Sequence, residues 1–293
     1  MQFPPECISC MASRLVDLAQ ANGNEQQALA YLRECLRAIA DAPEGVSSPY
    51  MNVAFEQLAQ KHFGLPADRY QKEKRQSNEF MLSRAEQLRR LISADSDPLH
   101  RALCFARTAN YIDFSALRGN VQFSVLDELL LSAENDTLDA QEYANFRSEL
   151  RQAHSMLILC DNAGEIVADM LLAEVLRKQY PTLELTFCVR GAPAVNDALR
   201  EDAELVGVDR LAKIIDNGCA IGGTELDYIG QELRHALDCA DVILAKGMGN
   251  FESMRGCGKN VYYLFLCKCT MFCHLFRVPK FTGMFLNDRR MPL

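Results

Sequence analysis

The sequence lacks the features that mark several large classes of proteins. It has no apolar run long enough to span a bilayer, because the longest candidate, residues 261–266, has the length of a strand. It has no excess of positive charge, since 31 basic residues face 39 acidic ones and the net charge is -8. Its first residues show no basic segment followed by an apolar one, so we expect no secretory signal. We therefore expect a cytoplasmic protein that binds neither membranes nor nucleic acids.

The composition is that of an ordinary globular protein. Hydrophobic residues make up 49% and charged residues 24%, which excludes disordered and fibrous classes. A chain of 293 residues can bury a sizeable core in one large domain or two smaller ones. Its twelve cysteines do not indicate a disulfide scaffold at this length. Most stand singly in apolar surroundings, but two groups are clustered in sequence: Cys7 and Cys10, and Cys267, Cys269 and Cys273.

Two regions with different hydrophobic patterns follow one another. Residues 1–150 show apolar positions at helical spacing, with a helix predicted over 69–93 and another that continues through Ile112. We interpret this half as an all-helical region that contributes to substrate recognition. From about residue 151, short continuous apolar runs alternate with helical patterns. The strands are predicted at 156–160, 183–189, 212–215, 242–245 and 261–266, and the helices at 166–178, 195–205 and 226–237.

This alternation predicts an α/β fold with a three-layer, Rossmann-like and largely parallel sheet over residues 151–293. Ligands of such sheets bind beyond the carboxyl ends of the strands. Polar segments stand at four predicted strand ends: Asp161–Glu165, Arg190–Asp197, Asp216–Thr224 and Lys246–Glu252. Each alone is explained by a helix cap or a turn. Together they offer oxygen ligands for a divalent cation, glycines whose N–H groups can approach an anion, and a lysine for a phosphoryl group.

The motifs at these strand ends resemble those of a known family. Residues Asp161–Asp169, with the sequence DNAGEIVAD, resemble a signature of the damage-control phosphatases, a group first catalogued as a domain of unknown function. The resemblance continues, in order, over Asp68–Lys74, Asn110–Phe114, Val189–Asp197 and Lys246–Glu252. It covers essentially the whole chain, and the Cys7-x-x-Cys10 motif suggests the stand-alone prokaryotic-type branch. Two positions depart from the family pattern, where Ala109 replaces a glycine and Arg69 a proline.

The resemblance implies a metal site and a set of catalytic residues. The ligands of a divalent ion (Mn²⁺, Co²⁺, Ni²⁺ or Mg²⁺) would be Asp161, Asn162 and Asp197. Lys246 would neutralise charge on the phosphoryl oxygens, and Glu165 would orient the attacking water or a substrate hydroxyl.

The resemblance also implies residues that bind the substrate and its phosphate. Asn110 and Asp113 are three residues apart, and the helix predicted there would put both on one face. The full predicted set comprises Asn110, Asp113, Arg190, Gly222, Gly223, Lys246 and Asn250. The predicted function is hydrolysis of small phosphorylated metabolites, such as sugar phosphates or damaged cofactor intermediates. The sequence defines neither the individual substrate nor the oligomeric state.

Other functions remain as alternatives. A haloacid-dehalogenase-type phosphatase also uses an Asp after the first strand, but it needs a second acid two residues later, where this chain has Ala163. A carboxyl methyltransferase that uses S-adenosylmethionine would need a glycine-rich turn where this chain has Asp161 and Asn162. A third alternative is a non-catalytic protein that binds metal through its cysteines.

The cysteine clusters allow three interpretations. Cys7 and Cys10, with Cys269 and either Cys267 or Cys273, have the composition of a structural zinc site. The same thiols would also serve as a redox switch. We favour a third interpretation, in which reduced thiols pack the two ends of the chain together, because a Cys-x-x-Cys motif alone is weak and the second group is irregularly spaced.

Overall fold

The computed structural model describes residues 3–117, 119–133 and 136–291. Among these residues, no helix is long and apolar enough to cross a membrane. The helices are α1 (Pro5–Asn22), α2 (Glu25–Ala40), α3 (Ser48–Phe63), α4 (Gln71–Ala94), α5 (Pro98–Ala109), α6 (Phe123–Ser132), α7 (Ala140–Leu150), α8 (Glu165–Gln179), α9 (Arg200–Val206), α10 (Gln231–Cys239), α11 (Gly247–Met254) and α12 (Thr270–Phe276). The strands are β1 (Ser155–Leu159), β2 (Glu184–Val189), β3 (Lys213–Asp216), β4 (Val242–Lys246), β5 (Val261–Leu266) and β6 (Gly283–Asn287).

One six-stranded sheet forms the centre of the molecule, in the order β3-β2-β1-β4-β5-β6. The first five strands are parallel and β6 is antiparallel to β5. Successive residues of β1 alternate between two hydrophobic clusters, with Met156 and Ile158 in one and Leu157 and Leu159 in the other. Both faces are therefore covered by helices, which is why the strand is apolar without interruption. The predicted three-layer, largely parallel α/β fold is confirmed.

The order of the strands reverses between β1 and β4, because the chain first builds the sheet outward from β1 to β3 and then continues on the other side of β1. Loops that leave β1 and β4 at their carboxyl ends therefore run to opposite sides of the sheet and leave a crevice between them. This crevice contains the polar segments after β1, β2, β4 and β5.

Helices α1, α2 and α3 form a bundle with a small hydrophobic cluster of its own, which includes Leu15, Tyr31 and Phe55. The start of α3 anchors this bundle to the α/β region. There, the Ser47 amide donates to Glu225 Oε1 (2.7 Å) and Ser48 Oγ donates to Glu252 Oε2 (2.6 Å). The α1–α3 bundle is thereby held beside the carboxyl ends of the strands.

The structure differs from the sequence-based expectations at several boundaries. Helix α5 ends at Ala109 instead of continuing through Ile112, and α9 and α10 begin about five residues later than predicted. The strand β6 was not predicted. The late helix starts have a physical cause, because side chains at the strand ends bind the backbone of irregular loops. For example, Asn217 Oδ1 accepts hydrogen bonds from the amides of Gly191 (2.8 Å) and Cys219 (3.1 Å).

Candidate active site

The three predicted metal ligands come together from two neighbouring loops. Asp161 and Asn162 follow β1, and Asp197 lies in the loop after β2. The backbone joins these loops, since the Ala198 amide donates to the Asp161 carbonyl (2.8 Å) and residues 162 and 197 form an antiparallel bridge. All three side chains line one cavity of about 400 Å³, a volume within the range of small-molecule sites.

The two carboxylates are buried against each other and against one arginine. Asp161 and Asp197 are each only 7% exposed. Arg190 Nε donates to Asp197 Oδ2 at 2.6 Å, and its Nη2 lies 3.8 Å from Asp161 Oδ1. Burial raises the pKa of Asp197 to about 6, although Arg190 opposes the shift. Burial and the neighbouring charge of Asp197 raise the pKa of Asp161 well above its ordinary value. A second positive charge at this place would stabilise both ionised carboxyl groups.

The donor set fits a hard divalent cation. Asp161, Asn162 and Asp197 all line the same cavity, and Mg²⁺ and Mn²⁺ prefer carboxylate and amide oxygens as ligands. The position of Asn162 is fixed, because its Nδ2 donates to Asp161 Oδ2 (2.7 Å) and its Oδ1 accepts from Asn196 Nδ2 (2.9 Å). Among the described residues, no group of three His, Cys, Asp or Glu side chains is arranged as a metal cluster. The third protein oxygen of such a site would therefore have to come from an amide.

Lys246 lies behind the cavity and does not line it. Its ammonium group is fully buried and donates to Glu165 Oε1 (2.6 Å), Asp169 Oδ1 (2.6 Å) and the Ala106 carbonyl (3.0 Å). Burial acts to lower the pKa of Lys246, but Asp169 and Glu165 outweigh it, so its pKa is raised. With three acceptors for its three donors, the ammonium has no donor left for a phosphate. The geometry does not support the direct phosphate contact predicted for Lys246.

Glu165 and Asn110 belong to the same buried layer. Glu165 Oε2 accepts from Asn110 Nδ2 (2.8 Å) and Asn162 Nδ2 (2.9 Å), and Asn110 Nδ2 also donates to Asp161 Oδ2 (3.0 Å). Neither Glu165 nor Asn110 lines the cavity. The expectation that Asn110 and Asp113 share one helical face was wrong, because α5 ends at Ala109 and Asp113 lies in the following loop.

Lys268 is a cavity residue that sequence reasoning missed. It stands two residues beyond β5, and its Nζ binds Asp113 Oδ2 (2.8 Å) and the Asn110 carbonyl (2.5 Å). Burial acts to raise the pKa of Asp113, but Lys268 outweighs it, and the pKa is lowered. A basic residue just after a fully apolar strand was the available signal, because β5 ends at the same edge of the sheet as β1 and β4.

The other predicted substrate-binding residues divide into two groups. Asp113 and Gly222 line the cavity. Arg190, Gly223 and Asn250 lie behind it, where Arg190 Nη1 donates to the Gly223 carbonyl (3.2 Å) and Asn250 Nδ2 to the Lys246 carbonyl (2.7 Å). A side chain at Gly223 would meet the carbonyl oxygen of Gly249, so the glycine allows two loops to approach each other.

The cysteines of both ends meet at this cavity. Cys7, Cys10 and Cys269 all line it, and all twelve cysteines are free thiols. Burial raises the pKa of Cys7 to about 12 and that of Cys269 to about 11, so both are protonated at neutral pH. No metal cluster is found among the described residues, so a second metal site at these thiols stays a prediction. A redox role of the thiols also stays a prediction.

The fold and the sequence match a known class of proteins. A solved structure, described as a DUF89 family protein from Pyrococcus horikoshii, has a TM-score of 0.83 and 26% sequence identity, and the match covers 98% of this chain and 99% of that one. The model of the damage-control phosphatase ARMT1-like domain matches residues 3–282. The chain therefore belongs to the damage-control phosphatase ARMT1-like family, and the family resemblance of its motifs is confirmed.

Curated relatives match over nearly their full length. The protein named damage-control phosphatase PH1575 of Pyrococcus horikoshii is 29% identical, over 96% of each chain. A damage-control phosphatase of Archaeoglobus fulgidus is 28% identical, over 92% of this chain and 93% of its own. The uncharacterized protein MJ0202 of Methanocaldococcus jannaschii is also 28% identical, over 92% of this chain and 90% of its own.

Proposed function

We propose that this protein is a phosphatase that uses a divalent metal ion to hydrolyse phosphomonoesters of small metabolites. The family and the names of two relatives support a phosphatase. One observation carries the metal-dependent mechanism. Asp161, Asn162 and Asp197 line the same cavity as Lys268, whose ammonium group binds Asp113 at 2.8 Å. Hydrolysis of a phosphate ester requires a cation that binds the phosphate oxygens and a donor that neutralises the charge that develops in the transition state.

In this proposal, Asp161, Asn162 and Asp197 hold the ion. When bound, such an ion polarises a phosphoryl oxygen and acidifies a water molecule. Lys268 takes the role first predicted for Lys246 and donates hydrogen bonds to the phosphate, because it lines the cavity and is held there by Asp113, whereas Lys280, which also lines the cavity, has no such carboxylate partner among the described residues. The backbone at Gly222 approaches the phosphate without steric hindrance from a side chain.

The buried residues behind the cavity act indirectly, because they position the residues that line it. Glu165 accepts hydrogen bonds from the amides of Asn110 and Asn162, and the amide oxygen of Asn162 accepts one from Asn196, which leaves it one lone pair for an ion. Lys246 neutralises Glu165 and Asp169. Glu165 and Lys246 are thus positioning residues in this proposal, and Arg190 likewise orients Asp197. None of them touches the substrate.

The test is a phosphate-release screen across phosphorylated metabolites, with Mn²⁺, Co²⁺, Ni²⁺ or Mg²⁺ and with a chelator. We expect release with at least one of these ions and none with the chelator. The Asp161→Asn variant should be inactive, and Asp209→Asn, at an exposed site away from the cavity, should match the wild type. Equal release with and without the chelator would contradict the metal-dependent mechanism.

A further inference from the structure

A second chamber lies beside the catalytic cavity, mainly between helices α1 and α3. Its volume is about 180 Å³. Its walls are largely apolar and aromatic, and they include Leu15, Leu18, Tyr31, Phe55, Tyr70 and Phe114. None of these residues has a role in the proposed phosphate chemistry.

The chamber and the catalytic cavity share a wall. Met11, Arg14 and Asn52 line both. On the other side of this junction, Asp113 lines the catalytic cavity, and the next residue, Phe114, lines the chamber. The position of this pair is fixed, since the Phe114 amide donates to Asn196 Oδ1 (3.2 Å), next to the predicted metal ligand Asp197. A molecule bound at the metal ligands can therefore extend past Asp113 towards the chamber.

The chamber is suited to an uncharged group of the size of one ring. The Arg69 guanidinium forms two hydrogen bonds with Glu56, at 2.8 and 2.9 Å, and lies over the ring of Tyr70, so these charges neutralise each other. The other two charged residues of the lining, Arg14 and Asp17, also have opposite signs, so the lining carries no net charge. Aromatic walls favour stacked or edge-on contacts with another ring. Apolar cavities of about 150 Å³ hold a benzene molecule, so a chamber slightly larger than this admits a single ring.

The junction, in contrast, is polar. The side chains of Arg14 and Asn52 carry hydrogen-bond donors and line both spaces. These donors lie at the place where a bound molecule would cross from one space to the other. Polar atoms in that part of the molecule would satisfy these donors.

We propose that the substrates are phosphate esters whose alcohol carries, beyond a short polar stretch, an uncharged ring-sized group that occupies this chamber. The inference rests on the proposed phosphatase function and narrows its substrate class. The phosphate binds at Asp161, Asp197 and Lys268, the polar stretch passes Arg14 and Asn52, and the ring enters between Phe55 and Phe114.

The kinetic test compares two series of synthetic esters. One series is phenoxy-capped ethylene glycol phosphates with one to three glycol units, and the other has a methyl cap in place of the ring. We expect kcat/KM of the ring series to exceed that of the methyl series by about tenfold at the linker length that reaches the chamber, from burial of the ring. Leu18→Phe fills part of the chamber and should remove this advantage through KM. Val16→Phe, at an exposed position on the same helix, should keep it.

A binding test does not require turnover. The chain has no tryptophan, so the fluorescence of added indole reports only the probe. In metal-free protein we expect a saturable blue shift of the indole emission in the wild type and in Val16→Phe, and a loss of that shift in Leu18→Phe. If Leu18→Phe does not fold, Phe114→Leu, which removes one ring of the wall, should weaken indole binding about three- to tenfold.

The outcomes separate this inference from the proposed function. Equal hydrolysis of both ester series at every linker length, with no saturable indole binding, would overturn the chamber proposal and leave the phosphatase proposal intact. Hydrolysis of neither series, nor of any phosphorylated metabolite, would overturn the phosphatase proposal, and with it the assignment of the chamber to a substrate.

Discussion

Two lysines stand at the carboxyl ends of neighbouring strands, and both side chains are buried, but of these two only Lys268 lines the cavity. Lys246 ends β4 and is sealed in a layer where Glu165, Asp169 and a backbone carbonyl use all its donors. Lys268 follows β5 and faces the cavity with the predicted metal ligands. The comparison shows that a basic residue at a strand end is not by itself a ligand-binding residue. What matters is whether its donors are already used by buried acceptors.

The largest effect on activity should come from substitution of the two carboxylates that line the cavity. Asp161→Ala and Asp197→Ala each remove one of two carboxylates from the predicted metal site, and we expect phosphate release to fall by about a thousandfold or more. Metal binding measured by calorimetry should be lost in parallel, while the circular dichroism spectrum stays that of the wild type. Near-normal rates in either variant would refute the assignment of the metal ligands.

Lys268→Ala should lower kcat about a hundred- to a thousandfold, the usual cost of removing one charge-stabilising donor. The thermal midpoint should change little by comparison, because Asp113 lines the cavity and can be solvated there. Lys259→Ala, which removes a lysine paired with Asp238 near the surface, is the matched control and should leave kcat unchanged. If Lys268→Ala retained full activity, the phosphate contact would have to be assigned to another group.

The main expected effect of Lys246→Met is a lower free energy of unfolding, and not the loss of a contact with the substrate. The substitution leaves two carboxyl groups, Glu165 and Asp169, buried without their cation, and removal of one partner of a buried ion pair costs about 3–5 kcal/mol of unfolding free energy. Urea unfolding measures this change. The double variant Lys246→Met with Asp169→Asn should recover part of the loss, since it removes one of the uncompensated charges. A Lys246→Met protein with wild-type stability and no activity would instead favour direct contact with the phosphate.

The smallest effect is a pH dependence of metal affinity. Burial raises the pKa of Asp197 to about 6, and only its ionised form binds a cation. As the pH falls below 6, protons compete with the ion, so the dissociation constant for Mn²⁺ should rise by about tenfold per pH unit for one displaced proton. Calorimetry between pH 5 and 7.5 tests this. A dissociation constant that does not change over this range would show that Asp197 is not a ligand.

Much of the site was predictable because its determinants are local in sequence. The apolar runs gave the positions of five strands to within one or two residues, and the polar segment after β1 identified Asp161 and Asn162. The parallel arrangement then required Asp197 to lie at the same edge. The strand β6 was missed because an antiparallel edge strand has a weaker apolar pattern and only two of its residues are buried.

The roles of the polar residues were less predictable. Asn110, Arg190 and Asn250 were expected to bind substrate, but each donates hydrogen bonds to protein groups, and only Nη2 of Arg190 is left without a hydrogen-bond partner among these donors. The partners of their side chains lie between 4 and 156 residues away in sequence. Sequence spacing cannot show whether a polar side chain binds a ligand or another side chain of the protein.

The sequence by itself determined the α/β architecture, the family and the position of Asp161, Asn162 and Asp197 at one edge of the sheet, because hydrophobic periodicity and motifs at strand ends are read along the chain. Only the tertiary structure decided that Lys246 is sealed behind the cavity while Lys268 lines it, and that a second chamber lies between α1 and α3 next to it. The physical reason is that both depend on contacts between distant segments. The donors of Lys246 are used by helices α5 and α8, and the chamber forms only where α1 and α3 pack beside the loop that carries Phe114.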